Sequence, residues 1–410
     1  MLTLQWRAAL WATVLLPALA DAAPLSLEQA LDLAVQRSAA TRAAQAGSLS
    51  AAQAARAAGQ LPDPVLSAGI DNLPVTGRDR LSTTADSMTM KRVGVSQEWL
   101  SADKRAAQRA AAQAVVDRET ALARIAAAEV RLQAALAYVD TFYAAQAVVL
   151  ADQTEHHSRE EFDAAKARLA TAAGSGPEAL ALSSARGIAE DEVAEARQAQ
   201  RQAEVQLQRW IGLPPDGLQS PAVASVPDEP AFVAGHPAVI TAQRDVDLAR
   251  QEASVTQANR RPNWTWSASY GQRTGYSDMV SVGVSIPIPI APSHRQDRET
   301  AARLARVDQA EANLAEAQRV AAAEYLSLAT DAERLAERIE RYRRAVLEPA
   351  RQRTAAALAG YGANKTPLMA LFEARHAEVV AQRKLLSLQR ELARARAQLA
   401  FKPVTEGGAR

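Results

Sequence analysis

The sequence predicts a mainly α-helical chain with a small membrane-spanning β part, built as one unit written twice. Three observations carry this reading. Residues 102–171 contain neither proline nor glycine, and residues 293–359 contain a single proline, Pro349. Between the helical tracts lie segments in which apolar and polar residues alternate with a period of two. And one tetrapeptide stands twice, as Val93-Gly94-Val95-Ser96 and Val282-Gly283-Val284-Ser285, each time just ahead of a long tract.

The totals narrow the function classes. The chain has 410 residues, a net charge of +1 and 4% aromatics, and basic and acidic residues are interleaved throughout. A nucleic-acid footprint is therefore not expected. With no cysteine, disulfides, thiolate nucleophiles and Cys-ligated metals are excluded, as is a lipid anchor on a cysteine. No Ser/His/Asp set, phosphate loop or metal-ligand spacing stands out, so neither an enzyme nor a cofactor site is expected.

Residues 1–22 read as an export signal: a short basic start, an apolar run too short to span a bilayer, and small residues ending at Ala20-Asp21-Ala22. No other stretch approaches eighteen consecutive apolar residues, so no transmembrane helix is expected after it.

The first repeat covers 23–213 and the second 236–401, joined by a proline-rich linker, 214–235, and followed by a tail, 402–410. Laying 54–70 over the start of the second repeat puts Pro62 on Pro262, Ser67 on Ser267 and Ala68 on Ala268. Each repeat reads as a helix, a hairpin (64–99 or 263–289), a long helix (102–171 or 293–359), a glycine-containing turn and a return helix (177–211 or 366–401). The opening helices are expected over 26–59 and 238–259. At ~1.5 Å per residue a 102–171 helix reaches roughly 100 Å, far beyond a compact domain.

In the hairpins, Leu66, Ala68 and Ile70 alternate with Ser67, Gly69 and Asp71. Val93, Val95 and Trp99 alternate with Gly94, Ser96 and Glu98, and Gln97 interrupts the apolar set. Trp264, Trp266, Ala268 and Tyr270 oppose Thr265, Ser267 and Ser269; Val280, Val282, Val284, Ile286 and Ile288 oppose Ser281, Gly283 and Ser285. Strands of about ten residues, an apolar face with Trp and Tyr near its ends and a small hydroxylic face fit an outer-membrane barrel wall. On this reading Leu66, Ile70, Val93, Val95, Trp99, Trp264, Trp266, Tyr270, Val280, Val282, Val284 and Ile286 face lipid. Four strands cannot close a barrel, and open edges are not tolerated in lipid, so more than one chain must contribute.

The order of "LPDPVLSAG", "VGVSQEWLSADKRAA", the two tip turns, "QRWIGLP" and the duplication itself resembles TolC-type outer-membrane efflux channels over nearly the whole mature chain. The resemblance implies a homotrimer whose strands form one twelve-stranded barrel on an α-helical barrel reaching through the periplasm. It also implies a periplasmic adaptor and an inner-membrane pump of the resistance-nodulation-division type as partners. Residues 73–87 and 272–278 would face outside, 214–235 would lie in the equatorial belt, and 173–177 and 360–367 would be the periplasmic tips. "MTMKRVGVSQEWLSADKR" resembles channels of heavy-metal pumps. Departures are Asp103-Lys104 and Ser293-His294 where the family often has glycine before arginine, and the missing lipidation of many metal-pump relatives. Multidrug efflux, type I secretion and, in another class, a periplasmic coiled-coil adaptor are the alternatives.

At the tips, the resemblance places Glu373 where family members ring the closed aperture with acid; Ala370 stands at the second acidic position. Tyr361, Lys365, Gly360, Gly174 and Gly176 belong to the same turns. Met88 and Met90 are the weak metal candidates, read as sharing one strand face, and His156-His157 reads as a solvated pair whose side chains diverge by about 100°.

Overall fold

In the computed structural model, residues 24–171, 173–214, 217–222 and 226–404 are described; the expected export signal lies outside them. The fold is organised on α3 (Ala102–Ala170), a single helix of 69 residues. Alanine, which loses no side-chain entropy in a helix, fills much of it. The Ser101 side chain accepts from the Lys104 N–H to cap its start.

α3 is flanked along its length by shorter helices. Above, α2 (Ala39–Ala57) and α6 (Pro237–Ala258) pack on it; below, α4 (Gly176–Ile211) and α9 (Leu368–Phe401) do. The second long tract is divided into α7 (Gln296–Tyr342) and α8 (Glu348–Gly362), with α7 packed on α6 and α9, and α8 packed on α9. Small side chains make this close approach possible: Ala134 and Ala135 are wholly buried among Leu27, Leu31, Leu136, Leu207 and Ile211 of α1 (Leu27–Arg37), α3 and α4. Each such buried leucine contributes about 2 kcal/mol.

β1 (Val65–Asp71), β2 (Met90–Trp99), β3 (Trp264–Gln272) and β4 (Met279–Ser285) form one antiparallel sheet in chain order. Ala68 pairs with Val93 in the first hairpin and Ala268 with Val282 in the second, so the two hairpins share one register residue for residue.

Several expectations are corrected. The opening helix is not continuous over 26–59: Ser38 adopts an extended conformation, ends α1 (Leu27–Arg37) and caps α2 by accepting from the Thr41 N–H. Past α2, Gly59 has φ +71°, and a Cβ there would stand 2.4 Å from the Arg105 carbonyl oxygen. The expected helix 293–359 starts at Gln296 and carries a π turn at Arg343–Leu347, just before Pro349, whose ring and missing N–H disturb the preceding turn.

The linker 214–235 contains a short helix, α5 (Glu229–Gly235), capped by Asp228 and anchored by buried Phe232 against Tyr325. β4 stops at Ser285, short of Ile286 and 289, because the strand partner β3 gives out at Thr265 and prolines 287 and 289 lack ladder donors. α3 also contains an 18-residue window with mean hydropathy 1.4, long and apolar enough to cross a membrane by length and composition, a third of it buried in the chain. Alanines and valines broken by single polar residues raise the average without making the continuous apolar run that the sequence reading sought.

Candidate functional site: the strand sheet and the helix tip

The register gathers most apolar residues of the four strands on one face, with Val65, Met90 and Met279 on the other. Across the sheet run Leu66, Val95, Ala268 and Val282 in one row and Ala68, Val93, Tyr270 and Val280 in the next. This face is bare: Leu66 is 76% exposed and Val282 77%. Trp99 and Trp264 pair at the helix-side end with ring centroids 6.0 Å apart, and Tyr270 stands near the loop side, hydrogen-bonded to Asp278. Ile286 shares the exposed apolar character but lies beyond β4.

The other face carries Ser67, Gly94, Ser269 and Ser281 in register. Gly94 is required there, since a Cβ would stand 2.8 Å from the Ser269 Cβ and 3.1 Å from the Ser67 Oγ. Arg92 and Asp71 bridge strands on this face at 3.2 Å. The outer edges of the sheet, on β1 and β4, have no partner strand among the described residues.

Gln97, which interrupts the apolar set, donates to the Pro62 carbonyl at 2.5 Å and so ties the chain ahead of β1 to the sheet. Below, Asn263 donates to Glu98 at 2.7 Å and accepts from the buried Lys104 ammonium at 2.5 Å. Burial pushes the Lys104 ammonium down, with Glu98 pulling the other way. This network fixes the start of α3 against two strands.

Met88 and Met90 do not share a strand face. Met88 lies in the loop, its N–H bound by Asp86, and Met90 opens β2 opposite Asp71; buried Thr89 between them donates to the Asn72 carbonyl and turns the chain. Among the described residues no group of three His, Cys, Asp or Glu side chains could hold a metal ion. His156 and His157 both lean on Glu160, at 3.3 and 3.4 Å, on the exposed side of α3.

At the opposite end, α3 closes with the Ala173 and Gly174 N–H groups on the Arg168 carbonyl, and Ser175 caps α4, whose first residue is Gly176. In the other turn the Lys365 and Thr366 N–H groups converge on the Gly360 carbonyl, and a Cβ on Gly360 would stand 2.1 Å from the Thr366 Oγ1. The left-handed position is Asn364, with φ 55°, a residue whose short polar side chain tolerates it.

Tyr361 packs with Phe162 and Phe372 around buried Leu182, Leu368 and Leu371, joining both turns in one apolar cluster. Lys365 is exposed. Glu373 lies on α9 with Arg353 of α8 4.0 Å away, both largely exposed. Directly beside the cluster, Glu161 is only 4% exposed and pairs with Arg375 at 3.0 Å. Burial raises the Glu161 carboxyl, and the Arg375 guanidinium works against that rise.

Sequence reading missed Glu161 and Arg375, which lie more than two hundred positions apart on faces that are apolar otherwise. It also missed His236, buried between α5 and α6. His236 Nδ1 accepts from the Ala238 N–H at 3.3 Å, and its Nε2 faces Glu324 at 3.2 Å; Lys402 closes on the same carboxylate. A histidine directly before a proline that opens a helix was the available signal.

Residues 232–401 match the family model for outer membrane efflux proteins. No curated protein matches the chain in sequence. Among solved structures, the outer membrane protein VceC from Vibrio cholerae is 18% identical with a TM-score of 0.75, over 92% of this chain and 96% of that one. The Campylobacter jejuni CmeC outer membrane channel is 12% identical with a TM-score of 0.77, over 94% and 87%. The Neisseria gonorrhoeae MtrE outer membrane channel in its open state is 18% identical with a TM-score of 0.74, over 92% and 88%. The chain thus matches the outer membrane efflux protein family model over its second repeat and has the fold of these solved channels over almost its whole length.

Proposed function

We propose that three copies of the chain form the exit duct of a tripartite efflux pump, conducting passively from periplasm to exterior. The observation that carries this reading is the bare apolar face of a four-stranded sheet whose two edges are open. A bare apolar face is not tolerated in water, nor an open strand edge in lipid, and closing three sheets edge to edge within a membrane removes both faults at once. The small hydroxylic face of Ser67, Gly94, Ser269 and Ser281 then lines a watery barrel. The helices continue the wall, and the turns at 173–177 and 360–367 form the end that meets an adaptor and a resistance-nodulation-division pump.

The cargo assigned is heavy-metal cations. Its support is the resemblance of "MTMKRVGVSQEWLSADKR" to channels of metal-exporting pumps, together with the exposed Glu373 at the tip, of which three copies near an axis would attract cations. Glu373, Tyr361, Lys365, Gly360, Gly174 and Gly176 are assigned to the gate and its turns.

The test is tolerance of a deletion strain to copper, silver, zinc, cobalt and cadmium beside dyes and detergents. Lost metal tolerance, restored by the intact chain, is expected. Unchanged metal tolerance with lost drug tolerance would reject the metal cargo and leave the duct as a drug channel.

A further inference from the structure

The bare face of the sheet differs between its two ends. Its last row on the loop side is Ile70, Lys91 and Gln272, next to the row of Ala68, Val93, Tyr270 and Val280. Every other strand residue on this face is uncharged, so Lys91 is its one cation. The helix-side end has Trp99 and Trp264 instead. Arg92, the next residue, turns to the polar face and is held by Asp71 at 3.2 Å. Lys91 is exposed and has no carboxylate partner among the described residues. Asp278, just ahead of β4, is already engaged: it accepts from the Tyr270 hydroxyl and the Arg273 N–H.

The loop beyond Lys91, residues 72–89, has a mixed surface. Arg78 and Arg80 are exposed on either side of Asp79, and Val75, Leu81 and Met88 are exposed with them. Leu81 is held in the left-handed region, φ 59°, with its N–H on the Pro74 carbonyl at 2.7 Å. A bulky residue is strained there, and this leucine is left bare. The base of the loop is tied: Asn72 donates to the Met88 carbonyl at 3.2 Å, and Thr89 donates to the Asn72 carbonyl at 3.0 Å. Cations and apolar side chains are thus presented together just outside the apolar rows.

We propose, resting on the membrane-duct reading above, that the outer rim of the β1–β2 hairpin binds a phosphorylated lipid of the outer leaflet. The Lys91 ammonium takes the phosphate, an acyl chain lies along Ile70, Val93 and Tyr270, and the loop lies on the headgroup. Charge selects this occupant. A charge on the lipid face is tolerated only near the bilayer surface, and an ammonium there without a carboxylate is answered by a lipid phosphate. A zwitterionic lipid brings its own cation beside the phosphate, whereas a phosphomonoester leaves its charge for Lys91. Because the helix-side end of the face has no cation, the preference belongs to the outer leaflet alone.

The purified protein in detergent is mixed with phosphatidylcholine, phosphatidylglycerol or diphosphoryl lipid A, and retained lipid is counted by native mass spectrometry. Wild type is expected to retain lipid A most and phosphatidylcholine least. Lys91→Gln is expected to lower lipid A retention about fivefold, Lys91→Arg to keep it, and neither to change phosphatidylcholine. If Lys91→Gln fails to reach the membrane, Arg78→Gln with Arg80→Gln, outside the sheet, gives a second reading and is expected to lower lipid A retention as well. Equal retention of the three lipids by wild type, or unchanged retention in the folded variants, overturns the site. Displacement of lipid A by inorganic phosphate would also overturn it, marking a free-anion site instead. All of these leave the duct standing. Recovery of the protein from the soluble periplasm would instead remove the reading on which the site rests.

Discussion

Gly94 lies directly opposite Ser269 on the polar face of the sheet, so close that a methyl group on Gly94 would meet the Ser269 Cβ at 2.8 Å. Its repeat counterpart, Gly283, has only the Ser267 Oγ nearby, at 3.2 Å from an added Cβ. The twice-written tetrapeptide therefore holds two glycines under different constraint. Gly94→Ala overpacks the seam and is expected to cost about 1–3 kcal/mol, and Gly283→Ala clearly less. Thermal unfolding of the detergent-solubilised variants by circular dichroism checks this; equal losses at both positions would contradict it.

Tyr138, wholly buried, ties the N-terminal segment to the linker, its hydroxyl set 2.6 Å from the Leu25 carbonyl and 2.8 Å from that of Gln219. Burial pushes its phenol up to about 12. Tyr138→Phe removes the single donor serving both carbonyls, for an expected loss of about 1–3 kcal/mol. The loss should be localised: amide exchange near 25 and 218, where a parallel bridge joins the two segments, is expected to quicken while the sheet is unaffected.

Buried Glu161 needs Arg375. Removing the arginine alone leaves an uncompensated carboxylate, and Arg375→Ala is expected to destabilise by about 3–5 kcal/mol. Because burial raises the Glu161 carboxyl in the folded state, its contribution is present at acid pH and is lost as pH rises through the folded value. Adding Glu161→Gln to Arg375→Ala is therefore expected to recover much of the loss at neutral pH, which denaturation of the double variant measures.

His236 should make the junction of α5 and α6 sensitive to acid. Burial pushes its imidazole below the ordinary value, against the pull of Glu324, and Lys402 adds to the lowering. A depressed folded value means stability that is present above the unfolded pKa of about 6.5 and is lost as pH falls through the folded one. Protonation also takes the Nδ1 lone pair that caps α6 at Ala238. Burial works to raise Glu324, but Lys402 and His236 hold its carboxyl below the usual range, so its own loss comes at lower pH. The wild-type melting temperature is expected to drop between pH 7.5 and 5.5 by more than that of His236→Asn, whose amide keeps a cap acceptor.

At the tip, Arg353 and Glu373 are too exposed, at 4.0 Å, to matter for stability. Glu373→Gln is expected to leave unfolding within about 0.5 kcal/mol of wild type and to lower the cation selectivity of single channels in planar bilayers. Unchanged selectivity would remove Glu373 from the aperture.

The strand sheet was legible because period-two alternation is local and the repeat supplied a second reading of it: Val93, Val95, Val282 and Val284 fall on the face their spacing predicts. The long tract through α3 was legible because no residue in it opposes a helix. The Ser38 break was not, since a serine is as compatible with a surface helix position as with a cap, and only the turn of the chain decides. The π turn at Arg343–Leu347 precedes the proline that disturbs it and carries no signal of its own. Glu161 with Arg375, and His236 with Glu324 and Lys402, are meetings of distant segments that no local pattern announces.

The central claim is that the bare face and open edges of the sheet are closed by two further copies in the outer membrane. Light-scattering mass of the particle extracted by detergent from the outer-membrane fraction tests it most directly. The expected result is a particle of three chains found in that fraction. A single chain recovered from the soluble periplasm would contradict it.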